Sequence, residues 1–165
     1  MSLNRRLQDL LDAHRVRYEI VPHRETDTAG QAAQVTHVAG IHVAKPVIVR
    51  DTVGSDFMVV LPAALHLDPN QIRRVTGRPG ARIEDEQELR RMFPDCELGA
   101  MPPIGHLYGL TTYIDPCLLE SQNEIWFQGG NHHELVRMSL PDFEKIARPF
   151  YEPACMHVQM EAIAG

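Results

Sequence analysis

Two apolar, β-branched runs, Val43–Arg50 and residues 56–61, lie close together and are separated only by residues 51–55, which include Gly54. Two strand-like runs joined by a short polar turn predict an antiparallel hairpin, and a hairpin needs further strands before it is stable in water. The rest of the chain supplies them. Residues 17–21 alternate as a half-buried strand that stops at Pro22, and residues 107–114, Glu124–Gln128 and residues 133–138 are further strand candidates, the last two joined through Gly129-Gly130-Asn131. Helical spacing is expected over residues 3–14, capped by Ser2, and over residues 29–38, capped by Thr28 or Asp27. A short helix should open at Asp68-Pro69, burying Ile72 and Val75 before Gly77. Residues 86–93 and Leu140–Ala147 complete the set. Strands and helices mix without strict alternation, so the expected class is α+β: a curved, mixed, barrel-like β-sheet surrounded by helices.

At 165 residues a single domain is expected. The apolar runs are too short to span a bilayer, and residues 2–8 lack a signal peptide's apolar region, so a cytoplasmic protein without membrane association is expected. Cys96, Cys117 and Cys155 form no CxxC, and neither a disulfide framework nor a zinc ribbon is encoded. The net charge of −6 argues against a chain that coats nucleic acid through bulk charge. The charge is uneven, however: residues 1–50 hold seven basic and five acidic side chains, residues 101–165 three and eight. An anionic partner should approach the first half. Of the 16 basic residues only Lys45 and Lys145 are lysines, which draws attention to each.

Lys45 shares a strand face with Val43, Val47 and Val49, so its ammonium points where the hydrophobic residues point. Two readings stand open: a stem that snorkels at a sheet edge, or an ammonium at a pocket floor facing an anionic or carbonyl-bearing ligand. Pro46 removes a ladder donor and favours an edge or a bulge. The loop of residues 99–105 holds two glycines and two prolines and almost no polar side chain. It is either a stiff connection or a rigid set of backbone N–H groups preorganised for a carbonyl oxygen. The nine histidines show no HExxH and no helical pair with a third ligand, so no metal site is expected. No GxSxG elbow, Walker or Rossmann glycine pattern is present. Arg73-Arg74, Arg78, Arg82 and Arg90-Arg91 stand among acids and read as solvated helix faces.

Thr28-Ala29, the run from His42 to Val49 around Lys45-Pro46, Leu61-Pro62-Ala63, and the run from Phe93 to Gly105 occur here in a characteristic order. They are followed by Tyr108-Gly109-Leu110, Asp115, Gly130-Asn131-His132 and Arg137-Met138-Ser139. This ordered set resembles the YbaK/EbsC-type aminoacyl-tRNA deacylases, related to the editing domain of bacterial prolyl-tRNA synthetase. The resemblance covers about residues 3–148 and implies an editing domain over 1–148 with a C-terminal tail, 149–165. It implies metal-free and cofactor-free hydrolysis of the ester joining a wrong amino acid to the tRNA 3′ end. Lys45 matches the family's functional lysine, and Gly99 and Pro103 match its GxxxP loop. The implied site is Lys45 as catalytic residue, with Thr28, Gly99, Ala100, Met101, Pro102, Pro103, Gly105 and His132 around the substrate. The expected partners are the tRNA acceptor end and, as a source of added affinity, an aminoacyl-tRNA synthetase. A small amino acid on tRNA(Pro), alanine or cysteine, is the first substrate expected. The alternative is a non-catalytic sensor of an amino acid, nucleotide or aminoacyl ester on the same fold.

Overall fold

A computed structural model describes residues 3–77, 80–120 and 122–154. The expected cap Ser2 and Cys155 lie outside these residues, and the expected burial of Val75 lies outside the described side chains. The strands are β1 (Tyr18–Pro22), β2 (Val43–Arg50), β3 (Asp56–Pro62), β4 (Arg82–Ile83), β5 (Thr112–Ile114), β6 (Glu124–Gln128), β7 (Glu134–Ser139) and β8 (Phe150–Tyr151). The helices are α1 (Arg5–Ala13), α2 (Ala29–Thr36), α3 (Pro69–Thr76), α4 (Glu86–Met92) and α5 (Leu140–Ala147). The strands form one mixed sheet in the order β1-β7-β6-β2-β3-β5-β8, with β4 also on β2. The β2–β3 hairpin is antiparallel, as its sequence predicts, whereas β6–β2, β3–β5 and β5–β8 are parallel.

Side-chain alternation along the central hairpin gives the sheet two buried faces. Ala44, Ile48, Met58 and Val60 point into the main core, where Leu7 and Leu11 of α1 and Phe143 and Ile146 of α5 meet them. A nine-residue helix is marginal alone. Burial of Leu7 and Leu11, each worth about 2 kcal/mol, fastens α1 to the sheet. On the opposite face Val49, Phe57, Val59 and Leu61 pack with Leu67 and Ile72, while Val43 packs with Ala29 and Ala33 of α2. Lys45 rises from this second face, between the two smaller clusters.

Several details depart from the sequence reading. Asn4, not Ser2, caps α1 through the Leu7 N–H. α2 stops at His37, which is left-handed with φ 58°, so the helix ends before Gly40. Residues 107–114 are not one strand: Gly105–Tyr108 form a 3-10 turn ended by left-handed Gly109, and only Thr112–Ile114 joins the sheet. The start of the supposed tail belongs to the fold, since β8 pairs with β5 and the Ala154 N–H donates to buried Asp115 at 2.6 Å.

Candidate active site

The pairing partners of β2 change along its length. Val43 and Ala44 pair with Trp126 and Phe127 of β6, whereas Val49 and Arg50 pair with β4. Neither strand covers the stretch from Lys45 to Val47 on that side. Pro46, which has no N–H to offer a neighbour, sits in this gap. Across the hairpin Lys45 faces fully buried Leu61, and its Nζ donates to the Ala63 carbonyl at 3.4 Å. One step beyond the last β6 pair, Lys45 and Gln128 stand at the same level of neighbouring strands. Alternation puts both side chains on the face of Val43 and Trp126.

Gln128 begins the second part of the site. It is only 2% exposed, and its Nε2 lies 3.2 Å from Nδ1 of His132. The other ring nitrogen of His132 lies 2.6 Å from the Leu98 carbonyl, and the His132 N–H donates to the Glu97 carboxylate at 2.9 Å. The backbone joins the same two segments: Glu97 N–H donates to Gly130 O and Gly130 N–H donates to Ala100 O. The turn that carries these groups is itself pressed on α1, where Asn4 N–H donates to Gly129 O. A Cβ at Gly129 would lie 2.2 Å from Leu3, and one at Gly130 2.8 Å from Asn4.

A planar trans peptide points its C=O and the following N–H in opposite directions. His132 holds the Leu98 carbonyl and Gly130 the Ala100 carbonyl, so the N–H groups of Gly99 and Met101 each point away from those contacts. Neither has a partner among the described residues. The Ala100 N–H instead donates to Glu97 O at 3.0 Å, which removes it from the expected set of free loop donors. Left-handed Gly99, φ 84°, permits this backbone path at no steric cost.

The other expected site residues divide by role. Ala100, Met101, Pro102, Pro103 and Gly105 are buried. Gly105 donates to Thr112 Oγ1 at 2.8 Å, and a Cβ there would lie 2.4 Å from that oxygen, so close packing requires this glycine. Met101 also lines a cavity of about 210 Å³ with Leu89, Phe93, Cys96 and Leu98. Thr28 caps α2 through the Gln31 N–H and lines a separate groove with Gln31, Gly40 and Ala64, next to the carbonyl that Lys45 reaches. Thr26, not Thr28, meets His132: its N–H donates to the His132 carbonyl at 3.0 Å. His132 stands beside Gly99 with both ring nitrogens engaged. By register Lys45 stands beside Gln128, which meets the loop through His132, while Thr28 and Met101 line two different cavities. Sequence reasoning did not single out Gln128, Glu97 or Thr26. The one signal for Gln128 is an amide directly after the apolar run Ile125-Trp126-Phe127.

No nucleophilic side chain is poised here. Burial pushes the Cys96 thiol up to about 11, so its thiolate is scarce at neutral pH despite its place in the small cavity. Beside it, burial raises Asp95, but hydrogen bonds from Asn4 and Tyr108 outweigh this and leave it below its ordinary value. No cluster of three or more His, Cys, Asp or Glu suited to a metal occurs among the described residues. What the arrangement offers is fixed donors and an ammonium, the equipment for holding a carbonyl ester while water attacks.

The sequence profile described as "Aminoacyl-tRNA editing domain" matches residues 23–146, which span Lys45, the loop, Gln128 and His132. The chain belongs to this family. Membership in the editing family brings with it, in general terms, a deacylase function on aminoacyl-tRNA. Among curated proteins no sequence matches significantly. The fold is that of "hypothetical protein APE2540" (TM-score 0.80, 20% identity, 92% of this chain and 99% of that one). It is also that of "a putative trans-editing enzyme for prolyl tRNA synthetase" (TM-score 0.78, 24% identity, 93% and 96%). A third similar structure is "a Putative signal transduction protein" from Marinobacter aquaeolei VT8, of which 32% is covered by 96% of this chain (TM-score 0.73, 16% identity). No helix among the described residues is long and apolar enough to cross a membrane.

Proposed function

We propose that the chain is a free-standing trans-editing hydrolase that removes a small, wrongly attached amino acid, alanine or cysteine, from tRNA(Pro) in the cytoplasm. The observation that carries this reading is the editing-family match over residues 23–146, supported by the partnerless Gly99 and Met101 N–H groups in its glycine- and proline-rich loop. In the mechanism, the Lys45 ammonium binds the phosphate of the terminal adenosine and positions the ester. The two N–H groups receive the carbonyl oxygen as it becomes an oxyanion. Water adds to the carbonyl carbon, the bond to the ribose 3′ oxygen breaks, and the proton given up by water reaches that oxygen through the neighbouring 2′-hydroxyl. The products are the free amino acid and the uncharged tRNA, with no metal or cofactor taking part. The tRNA acceptor end is the partner, and a synthetase adds affinity that a chain of net charge −6 lacks. A groove of about 580 Å³ between the end of β1 and α2, lined by His23, Arg24, Gln34 and His37, offers basic side chains to the acceptor strand.

The test is deacylation of a panel of mischarged tRNAs. Turnover concentrated on Ala-tRNA(Pro) or Cys-tRNA(Pro) is expected; turnover on other pairs alone would replace the substrate. A non-catalytic sensor is the second reading, favoured by the likeness to the larger signal transduction protein, of which this fold is about a third. Saturable binding of an aminoacyl ester without hydrolysis would establish it.

A further inference from the structure

We infer that Gln128 is a positioning residue of this site: through the His132 imidazole it sets the direction of the Gly99 N–H. The inference rests on the editing function proposed above. A carbonyl oxygen only accepts, so the short contact from His132 Nε2 to Leu98 O requires the proton on Nε2. Nδ1 then presents its lone pair, and the Gln128 amide N–H, 3.2 Å away, fills it. Gln128 is buried, with 2% exposure, so no bulk water stands ready to replace it in holding that tautomer. The consequence runs along covalent geometry. Fixing Leu98 O fixes the plane of the Leu98–Gly99 peptide, and with it the aim of the Gly99 N–H. Gly99 is the residue at which this peptide would otherwise turn, because glycine tolerates φ of either sign. The charged groups and donors around the ring are few. Glu97 receives the His132 backbone N–H, and Lys45 stands beside Gln128 by register.

Two variants and two readouts decide it. Gln128→Met keeps the volume and removes the donor. It should leave His132 as a mixture of ring tautomers by ¹⁵N NMR and lower kcat by about tenfold or more, with KM nearly unchanged. Gln128→Glu presents a carboxylate to Nδ1 and favours a proton there. It should make His132 an imidazolium that still donates from Nε2 to Leu98 O, and give the deacylation rate a pH dependence that falls as the Nε2 proton is lost, since the introduced carboxylate keeps the proton on Nδ1. An unchanged tautomer in Gln128→Met would overturn the inference. So would losses of rate that only follow the folded fraction, measured by circular dichroism on the same samples. The tautomer is read on the free protein. If the unaltered chain deacylates no tRNA while the tautomer responds as expected, the proposed function fails and the hold of Gln128 on the loop stands.

Discussion

The two cations of β2 are used in opposite ways. Arg50, at the end of the strand, is surrounded by acids: Asp56 at 2.9 Å, Glu84 at 3.0 Å and Glu88 at 3.7 Å. Its guanidinium bonds the Asp56 carboxylate through both Nε and Nη2, the geometry in which arginine fixes a partner most firmly. Lys45, five residues earlier, reaches a neutral carbonyl at the long distance of 3.4 Å. One strand thus carries an arginine bonded to an acid across the hairpin and a lysine that donates to a backbone carbonyl, and in the proposed function it is the lysine's charge that meets the anionic ligand. This contrast gives the small number of lysines a physical meaning.

The contrast breaks most visibly through Lys45→Ala. Loss of this charge should lower kcat/KM for the mischarged tRNA by about 100-fold, measured by single-turnover deacylation, while the thermal midpoint stays close to the unaltered value. Equal rates would place Lys45 with the structural cations. Arg50→Met should do the reverse, lowering the thermal midpoint while the rate per folded molecule is retained. A third variant sharpens the picture at the Arg50 end. Burial, and then its hydrogen bond with Asp56, raises Glu84 above the ordinary carboxylate value. The folded state therefore holds this proton more tightly than the unfolded one. The resulting stability is full below about 4.5 and declines as pH rises through the raised value. Asp56 works in the other direction: its hydrogen bond to Arg50 lowers it, and that contribution is lost only as pH falls through the lowered value. Glu84→Gln should remove the decline on the alkaline side and modestly raise the thermal midpoint at neutral pH, read as midpoint against pH.

Much of this was legible in the sequence because it depends on neighbours along the chain. The hairpin, the face of Lys45 and the caps at Thr28 and Asp68 follow from alternation and local hydrogen bonding. The partners of β2 on its other side were not legible, since β6 reaches it from a distant part of the sequence by only two parallel pairs. The apolar look of Leu107 and Tyr108 suggested a strand. In the fold they pack against the main core from a tight turn between two glycines. β8 is two residues long, too short to show a period. At the site, the residue types were readable but their commitments were not. That Ala100 N–H is already bonded, that both His132 nitrogens are occupied, and that Gln128 stands behind them are consequences of the meeting between residues 97–100 and 128–132.

Asn4 braces that meeting, through Gly129 on one side and, next to the other, through Asp95, to which its side chain donates at 3.0 Å. A residue at the start of the described chain thus closes loops spanning much of it, and such long-range closures come late because their entropy must be met before their contacts help. The proposed site is therefore expected to be completed late in folding. A chain with its hairpin paired but α1 undocked is expected to lack the arrangement that the proposed function needs, so recovery of deacylase activity after dilution from denaturant should follow α1 docking and lag behind hairpin formation.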